Sequence, residues 1–232
     1  MAKRRAAVLI SGRGSNLQAL LAAARDPAYP ADIALVVSNR PDAAGLALAR
    51  EADVTALAID HKAFATRADF DAELDRTLRH HDIELVACAG FMRVLTAGFL
   101  NAWEGKIVNI HPALLPLYKG LDTHARALAD GVRIHGCTVH FVVPEIDSGP
   151  IIAQAAVPVL GDDTPETLAF RVLEAEHRLY PMALALVAAG RARLEGGKAV
   201  IDAPTDASAA IYSPSPEGPS RRAFGPPQGE VD

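Results

Sequence analysis

The sequence predicts an α/β fold, in which an open, mostly parallel twisted sheet has helices on both faces. Short apolar runs alternate with helical patterns over about the first hundred residues, which is the order of elements in a parallel sheet. These runs are apolar throughout instead of alternating with polar residues, as expected for strands that are covered on both faces. Half of the 232 residues are hydrophobic, so a sizeable core can be buried.

The predicted strands and helices follow one another along the chain. Strands are expected at 6–10, 33–37, 54–59, 83–89 and 106–110, with two further strand-like runs at 136–143 and 151–157. Helices are expected at 17–24, 42–51, 67–80 and 97–103, followed by a long one that begins at Thr164. Ser15 or Asn16 is expected to cap the first helix. Gly196 and Gly197 predict a short hairpin near the end of the folded part.

The composition changes sharply at Ala203. Residues 203–232 are rich in Pro, Ser, Gly and Ala and hold few large apolar side chains. Such a segment cannot bury enough apolar surface to offset the entropy that it would lose on ordering. We therefore expect one folded domain over residues 1–202 and a disordered tail over residues 203–232.

Charge and composition argue against several classes of function. The net charge is −5, the pI is about 5.9 and there is no basic block, which makes the chain a poor candidate for nucleic-acid binding. No apolar stretch approaches the ~20 residues of a membrane span. The two cysteines, Cys88 and Cys137, form no CxxC pair, and the eight histidines form no metal-binding motif. We expect a soluble, cytoplasmic protein that binds no metal, nucleic acid or membrane.

A glycine-rich turn between Ser11 and Leu17 follows the first predicted strand. Between a strand and a helix, such a turn places free backbone N–H groups beside the positive end of the helix dipole, which favours phosphate. A dinucleotide fingerprint needs a third glycine where this chain has Leu17, and an acidic residue where it has Ser38-Asn39-Arg40 after the second strand. A site for a single phosphate fits better, although many tight turns with this pattern bind nothing.

Asn109 and His111 are the most informative pair in the sequence. In a strand they point to the same side, because the side-chain period is two, and they lie at the carboxyl end of the fifth predicted strand. An amide that holds a developing oxyanion and an imidazole that moves a proton suit acyl transfer. Asp147 is the candidate carboxylate that orients the imidazole. The spacing leaves open whether Asp147 is only a turn residue, and whether Asn109 and His111 are only a satisfied polar edge.

Several motifs resemble those of the phosphoribosylglycinamide formyltransferases, the folate-dependent enzymes of purine synthesis. The matching stretches are Val8 to Ala19, Ser38-Asn39-Arg40, Ala89 to Leu95, Asn109 to Pro116, His135 to Val142, Asp147 to Gln154, Glu176-His177 and Tyr180-Pro181. The resemblance implies a Rossmann-like formyltransferase fold with its catalytic domain in residues 1–202. It also implies transfer of a formyl group from the co-substrate 10-formyltetrahydrofolate to the amine of glycinamide ribonucleotide. The chain departs from the family at Leu117, where a polar or basic residue is usual, and at Asp122, where a histidine is usual.

The resemblance also implies roles for individual residues. The implied catalytic residues are Asn109, His111 and Asp147. The implied ribonucleotide-binding residues are Gly14, Ser15 and Asn16 at the phosphate, and Leu173, Glu174, Ala175 and Glu176 at the glycinamide end. The implied folate-binding residues are Arg67, Met92, Arg93, Val94, Leu95, Asn109, Val143, Pro144, Glu145, Ile146 and Asp147. Independently, helical periodicity puts Glu176 at the buried edge of an apolar stripe, where its carboxylate needs the substrate ammonium or an internal salt bridge as partner.

Three other interpretations are open at this point. Formyltetrahydrofolate deformylase and methionyl-tRNA formyltransferase share the Asn-x-His pair and the distant Asp. The first usually carries an N-terminal regulatory domain and the second a C-terminal RNA-binding domain, and we expect neither here. A non-catalytic nucleotide-binding module would keep the glycine-rich turn but does not need Asn109, His111 and Asp147 together. We expect small-molecule substrates, and either a monomer or a homodimer.

Overall fold

A seven-stranded sheet lies at the centre of the computed structural model, which describes residues 3–204 and residue 213. Its strands are β1 (Arg4–Ile10), β2 (Ala31–Ser38), β3 (Thr55–Ala58), β4 (Leu85–Cys88), β5 (Ile107–His111), β6 (Ile134–Phe141) and β7 (Ile151–Pro158). Their order across the sheet is β3-β2-β1-β4-β5-β6-β7. The first five strands pair in parallel, whereas β6 pairs antiparallel with both β5 and β7. The prediction of an open, mostly parallel sheet is confirmed.

Helices cover both faces of this sheet, as predicted. They are α1 (Ser15–Ala24), α2 (Gly45–Glu51), α3 (Arg67–His80), α4 (Ala97–Ala102), α5 (Thr123–Ala129) and α6 (Pro165–Ala188). Along β1, Ala6, Val8 and Ile10 join a core with α1, α2 and α6, whereas Ala7 and Leu9 join a second core with α3 and α4. This burial on both sides explains why β1 is apolar at successive positions. Within residues 3–204, the helices are too short or too polar to cross a membrane.

The start of α1 differs from the prediction. Gly14 is its N-cap, at a φ of 82°, and no side chain caps the helix. Ser15 and Asn16 are instead the first two residues of α1, so the capping role predicted for them is wrong. Glycine adopts this left-handed conformation at little cost. A Cβ on Gly14 would also lie 2.9 Å from the Cα of Gly45, so the close packing of the turn against α2 decides which residue is the cap.

Two other helices differ from the sequence analysis. The second helix begins at Gly45 instead of residue 42, because the chain first makes a turn in which the N–H of Ala43 donates to the carbonyl of Arg40. The short helix α5 was not predicted, because its seven residues are too few to show an apolar stripe. It follows the loop of residues 116–122, whose backbone contacts His111 and Asp147.

The ends of other elements follow the sequence as expected. The predicted helix at 67–80 is confirmed as α3, which begins with a capping box between Thr66 and Asp69. The predicted hairpin is confirmed as β8 (Ala192–Glu195) and β9 (Lys198–Ile201), with both intervening glycines at positive φ. The predicted disordered tail, residues 203–232, lies outside the described residues apart from residues 203, 204 and 213.

Tyr180 attaches α6 to the middle of the sheet. Its ring is fully buried, and its hydroxyl lies 2.9 Å from the carbonyl oxygen of Cys88 and 3.2 Å from that of Val108. These carbonyls belong to β4 and β5, the two strands that carry candidate site residues at or just beyond their ends. The side of α6 that holds Glu176 is therefore fixed relative to Asn109 on β5.

We expect Gly136→Ala to lower the free energy of unfolding by about 1–3 kcal/mol or more, the usual cost of overpacking. A Cβ at this buried position of β6 would lie 1.9 Å from the carbonyl oxygen of Ala155 on β7, a distance that requires the two strands to move apart. Gly161→Ala is the matched control, because nothing lies within 4 Å of its added Cβ, and it should change stability by less than about 0.5 kcal/mol. Urea denaturation measures both, and equal effects would contradict the tight packing of β6 on β7.

Candidate active site

Asn109 and His111 lie on one side of the last residues of β5, as the sequence predicted. Antiparallel pairing with β6 puts Asn109 opposite His140 and His111 opposite Thr138. His111 is buried and Asn109 is half-buried. The pair is therefore held in a paired strand next to a wall formed by β6, which limits the directions in which the amide and the imidazole can act.

Asp147 reaches His111 although the two residues come from separate parts of the chain. Its Oδ2 lies 3.4 Å from Nδ1 of His111, and the side chains are only 13% and 6% exposed. Oδ2 also accepts a 2.8 Å hydrogen bond from the backbone N–H of Gly120. Asp147 is indeed a turn residue, with a positive φ of 48°, but its side chain does more than close the turn. The structure thus brings together the amide, the imidazole and the carboxylate that the sequence singled out.

His140 is a fourth member of this group, and the sequence analysis assigned it no role. Its Nε2 lies 3.3 Å from the side-chain nitrogen of Asn109 and 3.8 Å from Oδ1 of Asp147. Its Nδ1 lies 2.9 Å from the carbonyl oxygen of Phe141, so the proton on that nitrogen is the donor. Burial lowers the pKa of His140 and favours the neutral ring, although the Phe141 carbonyl and Asp147 act in the opposite direction. A neutral His140 accepts at Nε2 and so fixes which way the amide of Asn109 points.

The other ring nitrogen of His111 faces the backbone of the loop at residues 116–122. Its Nε2 lies 2.8 Å from the carbonyl oxygen of Tyr118. Oδ2 of Asp147, 3.4 Å from Nδ1, is a charged neighbour on the opposite side of the ring, so the imidazole has a hydrogen-bonded carbonyl on one side and a carboxylate on the other.

Several contacts hold this loop against the turn that contains Asp147. Besides the bond from Gly120, Nζ of Lys119 donates to the hydroxyl of Ser148 over 2.6 Å. On the other side, the guanidinium of Arg126 in α5 donates to the carbonyl of Lys119 over 2.7 Å. At the two positions where the sequence departs from the family, Leu117 is exposed, and Asp122 is the N-cap of α5 without a side-chain capping bond.

The two predicted ribonucleotide segments meet at Asn16 and Glu176. The side-chain nitrogen of Asn16 donates to Oε2 of Glu176 over 2.6 Å, and both residues are buried. Burial raises the pKa of the Glu176 carboxyl, and the hydrogen bond from Asn16 opposes that shift in part. The partner that the carboxylate needs is thus a neutral amide, and within residues 3–204 Glu176 forms no salt bridge. The neighbouring Leu173 and Ala175 are half-buried and Glu174 is exposed, so Glu176 is the carboxylate that faces inward.

Gly14, Ser15 and Asn16 present the start of α1 beside this pair. The left-handed Gly14 turns the chain so that the first backbone N–H groups of the helix have no partner within α1. Such a helix start favours an anion. The predicted phosphate site therefore lies next to Glu176, the only inward-facing carboxylate of the 173–176 segment. The start of α1 favours an anion, whereas the Glu176 carboxylate favours a cation.

The predicted folate segment, residues 92–95, follows β4 without regular secondary structure. Met92 and Val94 are exposed, and Leu95 is buried. The guanidinium of Arg93 lies 4.6 Å from the ring centre of Phe70 in α3, which brings the segment close to the start of that helix. Arg67 is the first, exposed residue of α3, one turn before Phe70. Of the second predicted folate segment, Val143 is half-buried while Pro144, Glu145 and Ile146 are exposed before Asp147.

A cavity of about 330 Å³ opens beside the start of this segment. Its lining residues are Ser11, Gly12, Asn39, Arg40, His61, Gly90, Met92 and Arg93. None of the three candidate catalytic residues lines it, so the cavity lies apart from the group around His111. Among residues 3–204, no three His, Cys, Asp or Glu side chains are grouped as metal ligands would be.

The sequence is similar to known proteins over most of its length. It matches the family described as Formyl transferase over residues 4–184. It is 41% identical to phosphoribosylglycinamide formyltransferase of Escherichia coli (strain K12), in an alignment that covers 84% of this chain and 92% of the relative. It is 51% identical over 197 residues to the trifunctional purine biosynthetic protein adenosine-3 of Gallus gallus. The chain spans only 14% to 20% of the length of the animal trifunctional proteins that it matches.

Solved structures agree with the sequence matches. Glycinamide ribonucleotide transformylase 1 from Symbiobacterium toebii has a TM-score of 0.83 at 48% identity and covers 86% of this chain and 94% of its own. A formyltetrahydrofolate deformylase from Pseudomonas syringae pv. tomato has a TM-score of 0.78 at 26% identity, and 66% of its chain is covered. The deformylase is the weaker match in identity and in the share of its own chain that is covered. With the family match extending over residues 4–184, this chain belongs to the formyl transferase family.

Proposed function

We propose that this protein transfers the formyl group of 10-formyltetrahydrofolate to the amine of glycinamide ribonucleotide, a step of purine biosynthesis. The observation that carries the proposal is the meeting of the Asn109 amide, the His111 imidazole and the Asp147 carboxylate beside β5. Relatives that are named phosphoribosylglycinamide formyltransferase, and are matched over nearly their full length, support this choice of donor and acceptor.

The chemistry follows from the hydrogen-bonding capacity of the three side chains. The amine nitrogen attacks the formyl carbon, and the carbonyl oxygen becomes an oxyanion before the bond from carbon to the folate nitrogen breaks. Asn109 has two amide hydrogens, of which one faces His140 and the other is free for the oxyanion, a contact worth ~3–4 kcal/mol in comparable sites. Protonated His111 turns its Nε2 proton from the Tyr118 carbonyl to the leaving folate nitrogen, while Asp147 faces the opposite side of the ring. The attacking nitrogen becomes positively charged as its bond to the formyl carbon forms, and the neutral imidazole that remains accepts the proton that this nitrogen releases.

Exposed apolar side chains around the site fit an aromatic co-substrate. In the described part of the chain, the exposed large hydrophobic residues are Met92, Val94, Leu117, Leu121, Ile146, Leu160, Phe170 and Met182. Leu117 and Leu121 lie on the loop that contacts His111 and Asp147, and Ile146 directly precedes Asp147. Met92 and Val94 follow β4, the strand that pairs with β5. A flat ring system such as a pterin would cover such a surface. Single exposed apolar side chains are common in proteins, but several of them grouped in one region indicate a binding surface.

The opposite charges at Glu176 and at the start of α1 fit the ribonucleotide. We assign the phosphate to the backbone at Gly14, Ser15 and Asn16, and the amine-bearing end to the 173–176 segment. Glu176 is already oriented by Asn16, so little ordering is needed when the substrate binds. The position of the ribonucleotide is thus set by the helices α1 and α6, which is how a site gains rate from proximity.

We also propose the surroundings in which this activity takes place. Residues 1–202 form the catalytic unit, because the described strands end at Ile201. The protein acts in the cytoplasm on small molecules, as a monomer or a homodimer, without nucleic acid or metal.

The function is tested by the choice of acceptor. Purified protein and 10-formyltetrahydrofolate should give formylated glycinamide ribonucleotide and tetrahydrofolate at a rate that depends on the ribonucleotide. Water and charged initiator tRNA serve as the alternative acceptors. If the folate loses its formyl group equally fast as formate when no ribonucleotide is present, the protein is a deformylase and the proposal is wrong.

His111→Ala and Asp147→Asn should each lower kcat by about 10²–10⁴-fold, the range for a lost proton-transfer group. The dissociation constant for glycinamide ribonucleotide should change by less than about threefold, because neither side chain is assigned to that substrate. Steady-state kinetics and calorimetric titration separate the two effects. His80→Ala is the control, since His80 is exposed at the end of α3, and near-normal turnover in either test variant would remove its residue from the mechanism.

Glu176→Gln should weaken ribonucleotide binding by about 10–100-fold, as expected for a lost charge-assisted hydrogen bond. At neutral pH the same substitution should raise the free energy of unfolding. Because burial raises the pKa of Glu176 above 4.5, the unfolded chain loses this proton first as the pH rises, and the wild-type fold is destabilised above that pH. The Gln variant lacks this term and keeps an acceptor for Asn16.

Urea denaturation at pH 4 to 8 and calorimetry check both effects of Glu176→Gln. The stability of the variant relative to the wild type should increase with pH across this range. Glu104→Gln, at an exposed carboxylate after α4, controls for the loss of one charge and should leave both quantities unchanged. Unaltered ribonucleotide affinity in Glu176→Gln would contradict the role assigned to the carboxylate.

A further inference from the structure

Two buried polar side chains from other parts of the fold hold the two ends of the segment at residues 92–96. The hydroxyl oxygen of Ser11 accepts a 2.8 Å hydrogen bond from the backbone N–H of Met92. Oδ2 of Asp71 accepts a 2.6 Å hydrogen bond from the backbone N–H of Thr96. The segment between them forms no helix or strand of its own, so these two bonds define where it begins and ends.

Ser11 is fixed by a second hydrogen bond. It is 6% exposed at the end of β1, and its hydroxyl donates to Oδ1 of Asn39 over 2.6 Å. Asn39 is also buried, and its backbone carbonyl accepts from Nδ1 of His61 over 2.7 Å. Because the hydroxyl hydrogen is used toward Asn39, the lone pairs of Ser11 stay aimed at Met92. The end of β1 thus sets the position of the first residue of the segment.

Asp71 fixes the other end from α3. It is 3% exposed, and its Oδ1 has no hydrogen-bond partner among the described residues. Burying a carboxylate costs free energy unless hydrogen bonds compensate for the lost hydration. The one hydrogen bond of Asp71 goes to the backbone of Thr96. Thr96 then caps α4, where its hydroxyl accepts from the N–H of Phe99. The preceding residue, Phe70, lies under the guanidinium of Arg93, so α3 contacts the segment at its middle as well as at its end.

We propose that Ser11 and Asp71 are positioning residues, which hold residues 92–95 in the shape that receives the folate before it arrives. The inference rests on the proposed function, since that function assigns the folate to this segment. A segment without regular structure would otherwise have to be ordered on binding, and the entropy lost would weaken affinity for the co-substrate. Neither side chain touches the reacting atoms, so their effect is on binding and not on the chemical step.

Ser11→Ala and Asp71→Ala should each raise the KM for 10-formyltetrahydrofolate by about tenfold, with less than about threefold change in kcat or in the KM for the ribonucleotide. Ser11→Thr and Asp71→Asn keep an oxygen acceptor at each position and should restore most of the affinity. Tyr29→Phe is the control, because it removes the bond from a half-buried hydroxyl to the carbonyl of Pro181 elsewhere in the domain. It should leave the KM for the folate unchanged.

Amide hydrogen exchange gives a second measurement that needs no substrate. The N–H of Met92 should exchange at least tenfold faster in Ser11→Ala, and that of Thr96 in Asp71→Ala, while amides of β1 and β4 keep their protection. Faster exchange throughout the core would mean that the side chains only stabilise the fold, and would overturn the proposal. Unchanged exchange at Met92 and Thr96 would overturn it too.

The two proposals fail in different ways. If the wild-type protein transfers formyl groups and the alanine variants keep a normal KM for the folate, the positioning role is wrong and the proposed function stands. If the wild-type protein transfers none, the proposed function fails and the folate part of this inference fails with it. In that case hydrogen exchange still decides whether Ser11 and Asp71 hold the segment.

Discussion

The contact between His111 and Asp147 is the interaction on which the site depends. It joins the end of a parallel strand to a turn that follows an antiparallel one, so it exists only because β6 returns alongside β5. The same pairing brings His140 against the amide of Asn109. Without the change from parallel to antiparallel pairing, the sheet would carry an amide and an imidazole with no carboxylate near them. The topology of two strands thus determines whether this edge of the sheet can perform acid–base chemistry.

The parts of the site that the sequence predicted are those that depend on local periodicity. Asn109 and His111 share a side because a strand has a period of two, and Glu176 faces inward because α6 has a period of 3.6. His140 was given no role because its meeting with Asn109 depends on the register between β5 and β6, which no local pattern reveals. Gly14 was not recognised as the cap because its conformation depends on the approach of α2. Both features depend on contacts between distant parts of the chain, which local sequence patterns do not reveal.

Two buried ionisable groups in the site are held away from their usual behaviour by burial. Burial raises the pKa of Glu176 and lowers that of His140, since it disfavours the charged form of each, and the hydrogen bond from Asn16 opposes this shift at Glu176. Glu176 accepts from the amide of Asn16, and His140 lies between the amide of Asn109 and the carbonyl of Phe141. An active site commonly accepts such a cost to stability in exchange for groups that are oriented in advance. Here Asn16 orients Glu176, and His140 orients the amide of Asn109.

The loop at residues 116–122 contacts the candidate catalytic residues through its backbone. The carbonyl of Tyr118 faces His111 and the N–H of Gly120 binds Asp147, so neither contact depends on which side chain the loop carries. What the loop must conserve is its path, with positive φ at Tyr118, Gly120 and Asp122. Evolution is therefore free to change side-chain chemistry along this stretch while the geometry is inherited. Leu117 and Asp122, which depart from the family pattern, are substitutions of the kind that such a backbone-defined element tolerates.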